Sequence, residues 1–191
     1  MPALWTGLSP SQTDGLVALS RRVQLLTRLP IGHVEQIQVL RYFQTQHYSA
    51  HHDFFDPGDY GGAPSARERG LASNRLATVF FYLNDVTDGG ETAFPRSGGG
   101  EQPRDFRNCH QPGWLNVHPK KRRVVIFYSM LPSGEFDHYS LHAGCDVGAN
   151  STKYAANYWI WNTPQMSTLL RPSLRAIVDD LKVEGAASLL V

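Results

Sequence analysis

The sequence predicts a mainly β protein with flanking helices, built as an antiparallel sandwich or double-stranded barrel. Three observations lead to this prediction. About seven short segments are rich in β-branched and aromatic residues. Most of them are separated by turns and loops rich in Gly, Pro and Asp. Helical spacing of apolar residues occurs only near the two ends of the chain.

The composition is that of a single domain, which we expect to comprise residues 1–191. This length can bury a sizeable core, and 41% hydrophobic with 18% charged residues is usual for a soluble globular protein. The net charge of +1 creates no field that would attract nucleic acid, so we expect no nucleic-acid partner. No apolar run approaches the ~20 residues that span a bilayer, and the first residues lack the layout of a signal peptide.

The first predicted element is a helix that begins near Ser9. Ser9 is the expected N-cap, Pro10 lies in the first turn, and Gln12 has the spacing of a capping box. Pro30 is expected to end the helix. Apolar residues recur at helical spacing between these limits, at Leu16, Leu19, Val23 and Leu26.

The hydrophobic period changes to that of β-strands after this helix. Residues 34–43 alternate as a strand does, and residues 48–55 are predicted to form a second strand. Further strands are predicted at residues 76–83, 114–117, 124–130, 139–147 and 153–161. Residues 171–182 return to helical spacing and are predicted to form a closing helix.

Two long loops are predicted, over residues 56–73 and 95–113. The first loop is rich in Gly, Pro and charged residues, and it directly follows a pair of candidate metal ligands. Loops of this length beside a site often act as lids, although a passive insertion explains the composition equally well.

His51 and Asp53 are candidate ligands of a metal ion. Residues two apart in an extended strand point to the same side, so the imidazole and the carboxylate would lean toward one point. His142 is the candidate third ligand. Two His and one carboxylate on one face of a metal leave the opposite face open, as in non-haem Fe(II) oxygenases. Because the chain has eight His, three unrelated polar side chains are the alternative interpretation.

Six motifs follow one another along the chain. They are Gln-Val-Leu-Arg-Tyr at 38–42, Tyr-Ser-Ala-His-His-Asp-Phe-Phe at 48–55, Arg-Leu-Ala-Thr-Val-Phe-Phe-Tyr-Leu at 75–83, Gly-Gly-Glu-Thr-Ala-Phe-Pro at 89–95, Ser-Leu-His-Ala-Gly-Cys at 140–145 and Lys-Tyr-Ala-Ala-Asn-Tyr-Trp-Ile at 153–160. In these motifs the chain resembles the prolyl 4-hydroxylase family of Fe(II)- and 2-oxoglutarate-dependent dioxygenases, most closely its plant and algal members. The resemblance covers residues 19–164 and implies a double-stranded β-helix (jelly-roll) core.

The resemblance also implies a metal, cosubstrates and a reaction. Fe(II) would be bound by His51, Asp53 and His142. The cosubstrates would be 2-oxoglutarate and O2, with L-ascorbate as the reductant. The reaction would be hydroxylation of C4 of peptidyl proline, with release of succinate and CO2. A related dioxygenase that acts on another side chain or a small molecule remains an alternative, as does a non-catalytic barrel that binds a ligand.

Four further residues are implied in binding 2-oxoglutarate. Lys153 would bind the distal carboxylate, because a buried carboxylate must be paired and Lys supplies a compact charge. Tyr42 and Thr78 would add hydrogen bonds near that carboxylate, and Trp159 would line the pocket. The alternative for Lys153 is an exposed strand lysine. For Tyr42 and Trp159, packing in the core is an equally good explanation.

The family usually carries another strand and helix before the position where this chain starts, so we expect an N-terminal segment to be missing. Membrane contact would occur only through that segment. The implied partner is a proline-containing peptide or protein, and the implied location is the endoplasmic reticulum or secretory pathway. The sequon at Asn150 would be used only there. The sequence makes no prediction of the oligomeric state.

The only two cysteines, Cys109 and Cys145, stand at positions that the plant-like members share. The resemblance therefore implies a disulfide, which would tie the second long loop to the strand that carries His142. Two free thiols are the alternative, because the sequence shows no signal peptide.

Overall fold

The computed structural model describes residues 4–10, 12–56, 73–98 and 109–165. The helix predicted at residues 171–182 lies outside these ranges, as do residues 57–72 and 99–108 of the two predicted loops. No helix within the described ranges is long and apolar enough to cross a membrane.

The described residues form nine strands, one α-helix and two short 3-10 helices. The strands are β1 (Leu4–Leu8), β2 (Ile37–Tyr42), β3 (Tyr48–His51), β4 (Arg75–Tyr82), β5 (Thr92–Phe94), β6 (Leu115–Val117), β7 (Val124–Tyr128), β8 (His142–Gly144) and β9 (Lys153–Trp161). The helices are α1 (Asp14–Thr27) and the 3-10 helices Ile31–His33 and His138–Ser140.

The strands form two sheets in which every pairing is antiparallel. The larger sheet has the order β1-β2-β9-β4-β7, and the smaller sheet has the order β3-β8-β5-β6. Strands that are distant in the chain lie side by side, as β2 and β9 do, which is the connectivity of jelly-roll folds. The predicted mainly β fold with a jelly-roll core is therefore confirmed.

Strand β9 lies at the centre of the larger sheet and packs on both faces. One face packs against α1, where the Tyr158 hydroxyl donates a hydrogen bond to Ser20 Oγ at 2.9 Å. This cluster contains Val23, Val34, Ile37, Val79, Ala156, Tyr158 and Ile160. The opposite face, which carries Lys153, contributes Ala155 to a second cluster with Leu40, Tyr42, Phe80 and Tyr82. The predicted bounds of this strand are confirmed.

Helix α1 begins later than the sequence predicts. Thr13, rather than Ser9, is the N-cap, and its hydroxyl accepts a hydrogen bond from the Leu16 N–H at 3.3 Å. The predicted capping box forms a separate turn instead, in which Gln12 Oε1 accepts from the Ser9 N–H at 3.3 Å. The helix ends before Pro30, as predicted.

Several strand predictions need correction. Strands β1 and β5 have no counterpart in the sequence prediction, because β5 is too short and β1 too mixed in composition to show alternation. The strand predicted at residues 48–55 ends at His51, since its partner β8 has three residues and pairs with it at Tyr48 and His51. Asp53 lies beyond the strand, so the alternation argument that placed it beside His51 is wrong.

Cys109 and Cys145 form the disulfide that the resemblance implies. Both residues are buried together with Ala93, and Trp114 packs against them. The bond joins the segment before β6 to the residue that follows β8. It therefore constrains the strand on which His142 stands.

Candidate active site

Three side chains meet between β3 and β8. His51 ends β3 and faces His142, which begins β8, while Asp53 lies two residues beyond β3. One ligand atom from each of the three lies within 4.8 Å of the other two. His51 Nε2 is 3.6 Å from Asp53 Oδ1, and His142 Nε2 is 3.7 Å from Asp53 Oδ2. The structure thus brings the predicted ligands together.

Backbone carbonyls fix the protonation of both imidazoles. His51 Nδ1 lies 2.9 Å from Ser49 O, and His142 Nδ1 lies 3.0 Å from Ser140 O. A carbonyl oxygen only accepts hydrogen bonds, so Nδ1 is the donor in each ring, which leaves Nε2 as the nitrogen that can bind a metal. This arrangement is typical of metal-binding histidines, whose second nitrogen is held by a backbone or carboxylate acceptor.

The charges of the cluster suit a divalent cation. Burial alone would raise the pKa of Asp53, but His142 and His51 outweigh it and hold that pKa well below its usual range. Burial lowers the pKa of His142 to about 4, although Asp53 opposes the shift. At neutral pH the cluster therefore offers one anionic oxygen and a neutral imidazole, which is the ligand state that metal binding requires.

Strand β4 orients Asp53. Thr78, which is fully buried, donates a hydrogen bond from Oγ1 to Asp53 Oδ2 at 2.5 Å. Arg75 Nη1 reaches Asp53 O at 3.4 Å. Thr78 has a single hydroxyl proton, which it donates to Asp53 here, and Thr78 does not line the cavity, so its predicted hydrogen bond to a cosubstrate carboxylate stays a prediction. We assign Thr78 to holding the metal-binding carboxylate.

A cavity of about 500 Å³ opens beside the metal cluster. Six of the seven residues that the resemblance implies line it, the exception being Thr78. The six are Tyr42, His51, Asp53, His142, Lys153 and Trp159. Strands β2, β3, β8 and β9 thus bring together, around one volume, residues up to 117 positions apart, from Tyr42 to Trp159.

Lys153 is a buried cation that has no hydrogen-bond or ion-pair partner among the described residues. Its side chain is 3% exposed, and its Nζ lies 5.4–5.5 Å from the ring centroids of Tyr42, Phe80 and Tyr82. Burial lowers the pKa of Lys153 to about 7, against the opposing charge of Glu91. Such a group is costly unless an anion pairs with it, so the cavity is suited to a ligand with a carboxylate at this end.

Trp159 and Arg75 form the other end of the cavity. The Arg75 guanidinium lies 3.7 Å from the centroid of the Trp159 ring and 4.8 Å from that of Phe55. Glu35 pairs with Arg75 through two contacts, Nε–Oε1 at 2.6 Å and Nη2–Oε2 at 3.0 Å. The Trp159 Nε1–H is buried and has no acceptor in the described part of the chain. This donor is enclosed by the protein, whereas the aromatic side chains of Trp159 and Phe55 line the cavity and can contact a second ligand.

The sequence reasoning missed the pairing of Arg75 with Glu35. Glu35 precedes β2 and Arg75 begins β4, so no local period connects them. They pair because β2, β9 and β4 are adjacent strands of the larger sheet. Trp161, at the end of β9, also donates a hydrogen bond from Nε1 to Glu35 Oε1 at 2.6 Å. Only the tertiary structure shows this contact.

Residues 37–161 match the family model described as the 2OG-Fe(II) oxygenase superfamily. Probable prolyl 4-hydroxylase 9 of Arabidopsis thaliana is 35% identical over 159 residues, which are 82% of this chain and 51% of that protein. Transmembrane prolyl 4-hydroxylase of Mus musculus is 36% identical over 171 residues, covering 75% of this chain and 33% of that protein.

Among solved structures, the viral collagen prolyl hydroxylase vCPH of Paramecium Bursaria Chlorella virus-1, in its 2OG complex, superposes with a TM-score of 0.59. That structure is 25% identical and the match covers 85% of this chain and 80% of that chain. This chain spans about half the length of the Arabidopsis relatives it matches.

Proposed function

The chain belongs to the 2OG-Fe(II) oxygenase superfamily, and on that premise we propose that it hydroxylates C4 of peptidyl proline. One observation carries the proposal furthest. The metal-type cluster of His51, Asp53 and His142 shares a cavity with Lys153, a buried cation that has no anionic contact among the described residues. Together they match the two ends of 2-oxoglutarate, which needs a metal at one end and a cation at the other.

The protein's part in the reaction is to bind, orient and exclude water. When bound, Fe(II) and 2-oxoglutarate supply the oxidising chemistry that places one atom of O2 in the new hydroxyl and the other in succinate, with release of CO2. His51, Asp53 and His142 would hold the metal by one face and leave the opposite face open to ligands. The buried carboxylate of Asp53 supplies the negative charge, and its fixed position keeps that charge in place.

Lys153 would pair with the distal carboxylate of 2-oxoglutarate, and the Tyr42 hydroxyl would add a neutral donor beside it. The rings of Tyr42, Phe80 and Tyr82 lie around the ammonium, and Lys153 is buried. This low-dielectric setting strengthens the ion pair. Trp159 would present its ring to the substrate end of the cavity.

The substrate, reductant and location are part of the same proposal. Names of the relatives support a proline-containing peptide or protein as substrate. The disulfide between Cys109 and Cys145 supports an oxidising compartment such as the secretory pathway. L-Ascorbate as the reductant rests on the family resemblance alone.

Release of succinate in the presence of proline-rich peptides tests the proposal. Purified protein is incubated with Fe(II), 2-oxoglutarate, O2 and peptide, and each peptide is matched by one in which alanine replaces proline. We expect succinate formation to rise with the proline peptides and to stay at the peptide-free level with the alanine peptides. Equal stimulation by both sets would show that another side chain is the target. A protein that binds 2-oxoglutarate but forms no succinate with any peptide would be a dioxygenase for a small molecule or a binding module, and the proposal would be wrong.

Binding of 2-oxoglutarate is expected to weaken as the pH rises above about 7, because burial lowers the pKa of Lys153 to about that value. A bound carboxylate would raise this pKa, so binding near pH 8 must take up a proton and the affinity should fall by up to ~10-fold per pH unit. Calorimetric titration in two buffers with different enthalpies of ionisation measures that uptake.

Lys153→Arg is the control for this pH dependence, since its guanidinium stays charged throughout the range. The variant is expected to bind more weakly near neutral pH but without proton uptake. The same proton uptake in both proteins would show that a group other than Lys153 titrates.

A further inference from the structure

Two asparagines flank strand β4, and each clasps the backbone of another segment. Asn74 immediately precedes β4, and Asn84 follows it by two residues. In each case the side-chain carbonyl accepts a backbone N–H while the side-chain NH2 donates to a backbone carbonyl. The two clasps lie at opposite ends of β4, which contributes Arg75 and Phe80 to the lining of the cavity.

Asn74 clasps the segment that carries Asp53. Its Oδ1 accepts from the Phe55 N–H at 2.9 Å, and its Nδ2 donates to Phe55 O at 2.8 Å. Asn74 is itself held, because its N–H donates to Asn162 Oδ1 at 2.8 Å and it is 1% exposed. Arg75 adds the contact to Asp53 O. The strand pairing of β3 with β8 ends at His51 and does not include Asp53. The contacts from Asn74 and Arg75 therefore hold the Asp53 segment in place.

Asn84 clasps the backbone on both sides of Lys153. Its Oδ1 accepts from the Tyr154 N–H at 2.7 Å, and its Nδ2 donates to Thr152 O at 2.7 Å. The register of β4 with β9 ends at the pair Tyr82 and Ala155, so the Asn84 side chain continues the pairing where the strand stops. The position of the buried ammonium depends on this backbone, since the side chain itself has no polar contact.

We propose that Asn74 and Asn84 are positioning residues for different ligands: Asn74 for the metal, through the Asp53 segment, and Asn84 for the distal carboxylate of 2-oxoglutarate, through Lys153. The inference rests on the proposed function, because it assigns the two ends of the cavity to the metal and the cosubstrate. Neither asparagine touches a ligand. Each acts by fixing the backbone from which a ligand-binding side chain extends.

The test measures two affinities in two variants, Asn74→Ala and Asn84→Ala. Ni²⁺ alone is titrated first, and 2-oxoglutarate is then titrated at saturating Ni²⁺, both by calorimetry. We expect Asn74→Ala to weaken Ni²⁺ binding by ~10-fold or more while 2-oxoglutarate binding stays within about twofold. Asn84→Ala should leave Ni²⁺ binding within about twofold of the unaltered protein. It should weaken 2-oxoglutarate binding by ~10-fold, because it removes the two hydrogen bonds that hold the backbone around Lys153.

Each variant is the matched control for the other, because each loses an asparagine clasp at one end of β4. Thermal unfolding of the metal-free proteins measures any general loss of stability. Such a loss alone would not weaken Ni²⁺ binding in one variant and 2-oxoglutarate binding in the other. If either alanine variant fails to fold, the serine variant at the same position replaces it. The double variant should show both losses together, since the two asparagines clasp different segments and lie at opposite ends of β4.

Loss of both affinities in both variants, or of neither, would overturn the inference and leave the proposed function intact. Failure of the proposed function looks different. In that case the unaltered protein would form no proline-dependent succinate, whereas the inference is decided by the Ni²⁺ and 2-oxoglutarate affinities of the two variants.

Discussion

In Asp53→Ala, metal binding is expected to fall by more than ~100-fold and 2-oxoglutarate turnover to be lost. Asp53 is the only anionic member of the cluster, and His51 and His142 would remain as two neutral imidazoles. Loss of groups that merely orient a ligand already costs ~10- to 100-fold in metal affinity, so loss of the ligand itself should cost more. Calorimetric titration with Ni²⁺ and a succinate assay with Fe(II) measure the two effects.

Asp146→Ala is the matched control for this variant. It also removes a carboxylate near a histidine, since Asp146 Oδ1 pairs with His47 Nδ1 at 2.7 Å, but that pair is exposed. The control is expected to bind metal and turn over 2-oxoglutarate as the unaltered protein does. Iron-dependent succinate formation close to normal in Asp53→Ala would contradict the assignment of the metal site.

Lys153→Met is expected to weaken 2-oxoglutarate binding by two to three orders of magnitude. The substitution removes the ammonium and leaves an unbranched side chain one atom shorter. The distal carboxylate would then be buried without a counter-charge, which costs ~3–5 kcal/mol. Metal binding in the absence of 2-oxoglutarate should be unchanged, because Lys153 is not part of the cluster. Calorimetry at saturating Ni²⁺ measures the loss.

The same substitution is expected to stabilise the ligand-free protein. The pKa of Lys153 is about 7 in the folded state against an ordinary 10.5, so the unfolded chain binds more protons between these values. Stability therefore rises with pH across that window, and the buried ammonium is a penalty at neutral pH. Lys153→Met removes the penalty, which should raise the Tm at pH 7 and flatten its pH dependence above about 7.

Lys120→Met is the matched control, because Lys120 is exposed. It should change neither the affinity for 2-oxoglutarate nor the Tm at neutral pH. If Lys153→Met binds 2-oxoglutarate as tightly as the unaltered protein, another basic group must hold the carboxylate. Arg75 is the nearest alternative in the cavity, although Glu35 already pairs with its charge.

The central strands were predictable because their local pattern and their packing agree. Strand β9 has the predicted bounds, since a long run of aromatic and small residues is buried on both faces. The jelly-roll core and the residues of the metal cluster were predictable from the order of the motifs. The information for the strand lies within a few neighbouring residues, whereas that for the core and the cluster lies in the order of motifs along the chain.

The geometry around Asp53 was not predictable, because it depends on contacts between distant segments. Where β3 ends is decided by the length of its partner β8, which the local sequence of β3 does not contain. Asn is a common turn residue, so the sequence around Asn74 and Asn84 predicts only turns. Their hydrogen bonds to Phe55 and Tyr154 depend on the tertiary structure, which places these distant segments beside the ends of β4. The partner of Thr78 was missed for the same reason.

The most direct test of the account is to locate the new oxygen in a proline peptide. The protein is incubated with Fe(II), 2-oxoglutarate, isotopically labelled O2 and peptide, and the product is analysed by mass spectrometry and NMR. We expect one labelled oxygen on C4 of proline for each succinate formed, and no labelled peptide with Asp53→Ala. Labelled oxygen on another atom of the peptide would contradict the account. Succinate formation that depends on the peptide but leaves its proline unmodified would also contradict it.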